Sequence, residues 1–148
     1  INTLHEKLAQ KEQEVFVHIP KDSTAWCDRY AVEQVLTNLI ENAHKYTPEQ
    51  SSIIIRTEQQ AGKILLEIED NGPGIEAKHQ PRLFERFYRV DKGRSRSVGG
   101  TGLGLSIVRH LMETMNGSVG MKSAHPTGSI FWIQLPAENP NSDDEDKG

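Results

Sequence analysis

The strongest constraint on the fold of this chain is one amphipathic stretch in its first third. Apolar side chains recur there at offsets of three and four residues, which places them on one face of a helix that turns about 100° per residue. The residues of this face are Val32, Val35, Leu36, Leu39, Ile40 and Ala43. Asp28 can cap the start of the helix, and Pro48 ends it, because a proline disfavours helix in the residue before it. The pattern predicts a long helix that packs against a core.

A second line of side chains on the same helix is polar. Asn38, Asn42 and Lys45 lie roughly 120° around the helix from the centre of the apolar face. That angle places them at the rim of whatever the helix packs against. Two amides and an ammonium group at the edge of a core can hold a metal ion and phosphates. The alternative is the ordinary solvated face of an amphipathic helix.

The composition bounds the class of protein. The chain has 148 residues, of which 35% are hydrophobic, which is enough for one domain with a sizeable core. No apolar run approaches the roughly 18 residues of a membrane span. Residues 137–148 hold five acids and one lysine, which accounts for the whole net charge of -4. The rest of the chain is therefore neutral, which argues against a nucleic-acid binder. The single cysteine, Cys27, excludes an internal disulfide.

The remaining pattern predicts strands and helices in a mixed order. We expect a polar helix at residues 1–13, a helix that ends near Asn116-Gly117, and strands at residues 15–19, 53–58, 63–69, 118–123 and 129–135. Ala61-Gly62 marks the turn of a hairpin. This order predicts an α/β (α+β) fold, a two-layer sandwich in which about three helices cover one face of a mixed, mostly antiparallel sheet.

The chain divides into three predicted segments. Residues 1–13 would be the end of a linker helix that arrives from upstream, and residues 14–136 the folded domain. Residues 137–148, which are rich in Pro, Asn, Ser, Asp and Glu, would be a disordered acidic tail. Because the chain begins at Ile1 rather than at a methionine, we expect it to be a fragment of a longer polypeptide.

A carboxylate stands where the third predicted strand passes into a glycine turn. Asp70 is followed by Gly72 and Gly74, whose lack of side chains lets a ligand come close to the backbone. A carboxylate accepts hydrogen bonds only, so Asp70 would accept one from the exocyclic amino group of adenine and repel the carbonyl oxygen of guanine. The alternative is an ordinary turn with an Asx hydrogen bond.

A glycine-rich stretch, Gly99 to Gly104, opens the last predicted helix. Free backbone N–H groups and the positive end of the helix dipole both suit phosphate oxygens; the alternative is a glycine hinge that only permits close packing. A basic loop with Lys92, Arg94 and Arg96 precedes this stretch. These charges can close over phosphates as a lid, although a solvated loop is the commoner outcome for a charge run.

The order of these motifs resembles one known family. Asn-x-x-x-Asn-Ala on a helix, Asp-x-Gly-x-Gly after a strand, Phe-x-x-Phe at Phe84 and Phe87, and Gly-x-Gly-x-Gly opening a helix resemble the N, G1, F and G2 boxes of the ATP-binding catalytic (HATPase_c) domain of sensor histidine kinases. The resemblance extends from about Val15 to Pro136. It implies the Bergerat fold of a superfamily that includes gyrase B, the MutL ATPases and the large ATP-dependent heat-shock chaperone.

The resemblance implies that residues 14–136 bind Mg-ATP. It implies catalytic roles for Asn38, Asn42, Lys45 and Arg89, with Asn42 as the magnesium ligand. The residues that it implies as nucleotide contacts are Asn42, Lys45, Tyr46, Asp70, Gly72, Gly74, Ile75, Tyr88, Arg89, Gly100, Thr101, Gly102, Leu103, Gly104, Leu105 and Ser129.

Asn38 separates the branches of the superfamily. Relatives that hydrolyse ATP carry at this place a glutamate that activates water, and an amide cannot take a proton at neutral pH. We therefore expect slow hydrolysis and transfer of the γ-phosphoryl group to a histidine. The alternatives are an ATPase of the gyrase or chaperone kind and an inactive nucleotide-binding scaffold.

The same resemblance implies the partners and the location. The histidine would lie on an upstream dimerisation domain that is missing from this chain, and a response regulator would receive the phosphoryl group next. We expect the isolated domain to be a monomer and the full-length protein a homodimer, with no nucleic-acid partner. We expect it in the cytoplasm, either free or as the cytoplasmic part of a membrane-bound sensor.

Overall fold

The computed structural model describes residues 2–86 and 104–138, without the side chains of residues 2–5 and of Tyr46. Three α-helices and five strands lie within these residues, and a single 3-10 turn at Gln80–Arg82 follows the third strand. The predicted elements are confirmed in type and order, with ends that differ by at most about one turn of helix. In chain order they are α1 (Asn2–Gln10), β1 (Glu14–His18), α2 (Arg29–Tyr46), β2 (Ser52–Gln60), β3 (Lys63–Asp70), α3 (Gly104–Thr114), β4 (Ser118–Ser123) and β5 (Ser129–Pro136).

The strands form one mixed sheet in the order β1-β2-β3-β5-β4. The edge strand β1 runs parallel to β2, and the other neighbours are antiparallel. The hairpin between β2 and β3 turns at Ala61 and Gly62, both with positive φ, the backbone shape that matches the twist of the two strands. The prediction of a mixed, mostly antiparallel sheet is confirmed.

The core lies between one face of the sheet and the helices. Side chains of α2 and α3 meet alternate residues of the central strands, and each of the fully buried ones contributes roughly 1.5–3 kcal/mol. The edge of the Phe84 ring packs on Phe131, with 6.3 Å between the ring centroids. The most deeply buried side chains are Val35, Leu39, Ile53, Ile68, Val108, Met112 and Ile133.

The ends of α2 follow from its predicted signals. The Asp28 carboxylate accepts hydrogen bonds from the backbone N–H groups of Tyr30 at 2.9 Å and Ala31 at 3.2 Å, so it caps the helix. The helix stops at Tyr46, and Thr47 is extended because Pro48 follows it. Within the described residues, no helix is both long enough and apolar enough to cross a membrane.

The other face of the sheet carries charged side chains. Arg56 pairs with Glu67 at 3.0 Å and with Glu69 at 2.9 Å, and Lys122 reaches Glu67 at 3.0 Å. Burial alone would raise the pKa of Glu67, but the hydrogen bonds and charges of Lys122 and Arg56 outweigh burial and lower that pKa. All five residues of β1 are exposed, so the alternation along this strand does not create a buried face.

Candidate nucleotide site

The Asp70 carboxylate is the centre of the candidate site. Asp70 ends β3 and is 6% exposed. Its Oδ1 accepts a hydrogen bond from the backbone N–H of Gly72 at 3.0 Å, and the backbone N–H of Ser129 also donates to the carboxylate. Burial raises the pKa of Asp70, and the two N–H donors oppose that rise. The side chain is therefore an acceptor held in a fixed direction, with lone pairs left for a further donor.

Glycines surround Asp70 because the backbone approaches too closely for side chains. A Cβ on Gly72 would lie 2.8 Å from the Thr47 methyl carbon and 3.2 Å from Asp70 Oδ1. Gly74 has φ +82°, and a Cβ there would lie 3.3 Å from the carbonyl oxygen of Gly128. At Gly128, with φ +112°, a Cβ would lie 1.9 Å from the carbonyl oxygen of Asp70. The turn after β3 is thus packed against the start of β5 through backbone alone.

Thr47, which follows α2, packs against this turn. It is 4% exposed, and its hydroxyl donates a hydrogen bond to the carbonyl oxygen of Ala43 at 2.6 Å. Its methyl group faces Gly72. The end of α2 that carries Asn42 and Lys45 therefore lies beside the Asp70 turn. Neither Thr47 nor Gly128 is predicted from the sequence as a site residue, because both act through contacts between segments far apart in the chain.

The polar line of α2 is half-buried at the rim of the core, as its helical position predicts. Asn38 Oδ1 accepts a hydrogen bond from Gln34 Nε2 at 3.1 Å. Its Nδ2 is buried and has no hydrogen-bond partner among the described residues. An unsatisfied buried donor of this kind costs roughly 1–3 kcal/mol. An acceptor oxygen from a bound ligand would satisfy it.

The side chains of the candidate site differ in how well they suit different metal ions. In the described parts of the chain, no group of three or more His, Cys, Asp or Glu side chains is placed to hold a metal ion. Magnesium has different needs, because it keeps several waters and takes one or two protein oxygens together with phosphate oxygens. The amide oxygen of Asn42 fits that requirement.

Other predicted contacts have defined surroundings. Ile75 and Leu105 are partly buried against the core, and Ser129, which is 3% exposed, pairs with Asp70 across β3 and β5. Gly104 begins α3, and a Cβ there would meet no atom within 4 Å. Several residues with predicted roles lie outside the described part of the chain. They are Phe87, Tyr88, Arg89, Lys92, Arg94, Arg96, Gly100, Thr101, Gly102 and Leu103, together with the side chain of Tyr46 and the tail beyond Glu138.

The chain is similar to known proteins in both sequence and fold. Residues 27–139 match a family model described as histidine kinase-, DNA gyrase B- and HSP90-like ATPase (HATPase_c). The sensor protein IrlS of Burkholderia pseudomallei is 44% identical over 110 residues, which are 74% of this chain and 24% of IrlS. The catalytic domain of the histidine kinase ThkA superposes with a TM-score of 0.79 at 26% identity, over 92% of this chain and 86% of that domain.

A structure with a bound nucleotide analogue is also similar. Full-length ShkA in complex with AMPPNP superposes with a TM-score of 0.78 at 28% identity, over 91% of this chain and 28% of ShkA. The chain spans less than a third of the length of the curated relatives that it matches. The similarity thus concerns one domain of larger proteins.

Proposed function

Because the chain belongs to the family of histidine kinase-, DNA gyrase B- and HSP90-like ATPases, we propose that it is the ATP-binding catalytic domain of a sensor histidine kinase. In this proposal it binds Mg-ATP and transfers the γ-phosphoryl group to a histidine of an upstream dimerisation domain. The observation that carries the proposal is the buried, oriented carboxylate of Asp70 beside the polar end of α2. An aspartate on a response regulator would receive the phosphoryl group afterwards.

Asp70 selects the base in this proposal. Two backbone donors already hold the carboxylate, and its remaining lone pairs accept a hydrogen bond from the amino group of adenine. Guanine presents a carbonyl oxygen at the same place and would be repelled. The absence of side chains at Gly72 and Gly74 lets the ring lie close to the backbone, and Ile75 offers an apolar contact.

The polar line of α2 would bind the phosphate groups. Lys45 places an ammonium group there, and the unpartnered Nδ2 of Asn38 donates to an acceptor oxygen. Asn42 would hold magnesium, which neutralises phosphate charge when it is bound. The N-terminus of α3 at Gly104 offers further N–H donors to phosphate oxygens. Contacts from the remaining predicted residues, Tyr46, Tyr88, Arg89, Gly100, Thr101, Gly102 and Leu103, belong to the same proposal.

Asn38 favours transfer over hydrolysis. Its Oδ1 already accepts a hydrogen bond from Gln34, and an amide has no basic site for the proton of an attacking water. Phosphoryl transfer depends mainly on positioning and on charge neutralisation, which this site can supply without a base on α2. The histidine substrate would then bring its own nucleophilic nitrogen.

The larger assembly is part of the proposal. The phosphoacceptor histidine would come from a dimerisation domain of the same protein, so that a homodimer forms around a catalytic domain that is monomeric alone. A cytoplasmic location follows from the use of ATP and from relay to a response regulator. The neutral body of the domain argues against a nucleic-acid partner.

A transfer assay tests the proposal. The chain is incubated with magnesium and ATP labelled on the γ-phosphate, with and without a purified histidine-bearing dimerisation domain. We expect acid-labile label on that domain, slow release of free phosphate, and no label when its histidine is replaced by glutamine. Sustained hydrolysis without transfer would instead assign the chain to the ATPase branch. Binding of ATP with neither outcome would indicate a nucleotide-binding scaffold.

A further inference from the structure

The segment that precedes β1 is hydrogen-bonded to the segment that follows α2. We call residues 11–14 the α1–β1 junction. The backbone N–H of Gln50 donates to the carbonyl oxygen of Lys11 at 2.9 Å, and the backbone N–H of Glu14 donates to that of Ser51 at 3.1 Å. The junction thus runs beside the end of the helix that carries Asn42 and Lys45.

Gln13 is the buried centre of this contact, with 7% of its surface exposed. Its Nε2 donates to Thr47 Oγ1 at 2.7 Å and to Ser51 Oγ at 3.1 Å. The carbonyl oxygens of His44, Thr47 and Pro48 lie between 3.4 and 3.5 Å from the same nitrogen. Because oxygens surround this position, the amide nitrogen must point there. Gln13 Oε1 then faces His44 Nδ1 at 2.8 Å, and that ring nitrogen carries the hydrogen.

Lys11 binds the carbonyl end of the same helix. Its Nζ donates to the carbonyl oxygen of His44 at 2.6 Å and to that of Thr47 at 3.1 Å. These carbonyls have no partner within the helix, and a cation here also favours the negative end of the helix dipole. Burial, together with the charges of Lys11 and Lys7, lowers the pKa of His44 against the opposing charge of Glu41. The lowered pKa favours the neutral imidazole, and the bond to Gln13 places its hydrogen on Nδ1.

Thr47 transmits this contact to the turn that holds Asp70. Its hydroxyl accepts from Gln13 and donates to the carbonyl oxygen of Ala43. Because one hydroxyl makes both hydrogen bonds, the side chain of Thr47 is held in a single rotamer. In that rotamer the methyl group lies against Gly72, whose backbone N–H orients Asp70. Gln13 is thus connected to the Asp70 carboxylate by three successive contacts, through Thr47 and Gly72.

We propose that Gln13 is a positioning residue for the nucleotide site, which acts through Thr47 and couples the α1–β1 junction to the turn that holds Asp70. This inference rests on the proposed function. It implies that a displacement of the chain before β1 changes the affinity for ATP without a contact between that chain and the nucleotide. Coupling through such a packed network changes binding by a factor of about 2 to 30.

Two substitutions separate the lost donor from lost packing. Gln13→Ala removes the whole side chain, and Gln13→Met keeps most of its volume but has no donor. Gln50→Ala is the matched control, because Gln50 Nε2 bridges the same two segments by donating to Glu12 Oε2 at 3.1 Å on the exposed surface. The measurements are the Kd for Mg-ATP by calorimetry and the 1H–15N resonance of the Gly72 amide in the nucleotide-free protein.

We expect both Gln13 variants to bind Mg-ATP about threefold to tenfold more weakly, with a shifted Gly72 resonance, while Gln50→Ala stays within about twofold of the unchanged protein. A merely structural role would lower Tm and leave Kd and the Gly72 resonance unchanged, and that result would overturn the inference. Unchanged ATP affinity in Gln13→Met would also overturn the inference, as would a loss of affinity in Gln50→Ala equal to that in the Gln13 variants. If one Gln13 variant does not fold, the other decides. Failure of the unchanged protein to bind ATP would instead remove the proposed function itself.

Discussion

Replacement of Asp70 by asparagine should weaken nucleotide binding, by an amount that follows from the contacts of the carboxylate. Asp70 accepts hydrogen bonds from the backbone N–H groups of Gly72 and Ser129, and the adenine amino group would be the third donor. A carboxylate has about four lone-pair sites on two oxygens and can serve all three. Asparagine has one oxygen, and its amide nitrogen would face a donor. One of the three donors therefore loses its acceptor.

The lost hydrogen bond is charge-assisted, so we expect Asp70→Asn to weaken ATP binding by roughly 1–3 kcal/mol, which is about 5-fold to 150-fold in Kd. Because the new amide can donate to the carbonyl oxygen of guanine, the preference for ATP over GTP should also narrow. Calorimetric titration with both nucleotides in the presence of magnesium measures the two effects. Glu69→Gln is the matched control, because Glu69 pairs with Arg56 on the opposite face of the sheet.

Unchanged ATP affinity in Asp70→Asn would refute this reasoning. The pH dependence of stability gives a second check. Because burial raises the folded-state pKa of Asp70 above its ordinary value, the folded protein binds more protons than the unfolded chain in this range, and the contribution of Asp70 to stability falls as pH rises. The free energy of unfolding of the unchanged protein, minus that of Asp70→Asn, should therefore decrease as pH rises above about 4, the ordinary pKa of an aspartate. Urea unfolding of both proteins measures this difference.

Four further substitutions test the magnesium ligand, the glycine packing at Asp70 and the ion pairs of the sheet. Asn42→Ala should abolish the dependence of ATP binding on magnesium while circular dichroism stays unchanged, and equal ATP affinity with and without magnesium in the unchanged protein would contradict the assignment. Gly128→Ala should lower the free energy of unfolding by roughly 3–5 kcal/mol, because a Cβ would lie 1.9 Å from the carbonyl oxygen of Asp70 at a positive φ. Gly62→Ala, also at positive φ but in open space, should cost only about 1 kcal/mol in the same urea experiment, and similar losses would refute the clash. Glu67→Gln should lower the free energy of unfolding by roughly 1–2 kcal/mol at pH 7. Because the folded-state pKa of Glu67 is lowered, this difference should disappear as pH falls through that pKa. A difference that stays constant with pH would refute the contribution of the ion pairs.

The elements of the fold could be predicted because their signals are local. The apolar face of α2, the cap at Asp28 and the proline at residue 48 define that helix within a short window, and Ala61-Gly62 defines the hairpin. The amides and the lysine of the polar line could be placed at the rim of the core by helical geometry alone. The Asp70 turn could likewise be recognised from a carboxylate followed by glycines at a strand's end.

The contacts that hold the site together could not be predicted in the same way. Gln13 and Thr47 are 34 residues apart, and neither belongs to a periodic pattern. Gly128 reads as an ordinary turn glycine until β5 pairs with β3 and brings it against the Asp70 backbone. The exposed edge position of β1 is also a property of the assembled sheet, because alternation along a strand does not say whether a layer covers it.

The central claim is that this domain binds ATP together with magnesium between α2 and the turn after β3. Calorimetric titration of the unchanged protein with ATP, with and without magnesium, tests it most directly. We expect saturable binding of one nucleotide per chain below millimolar concentration, weaker binding without magnesium, and much weaker binding of GTP. Absence of binding at millimolar ATP, or equal affinity for ATP and GTP, would contradict it.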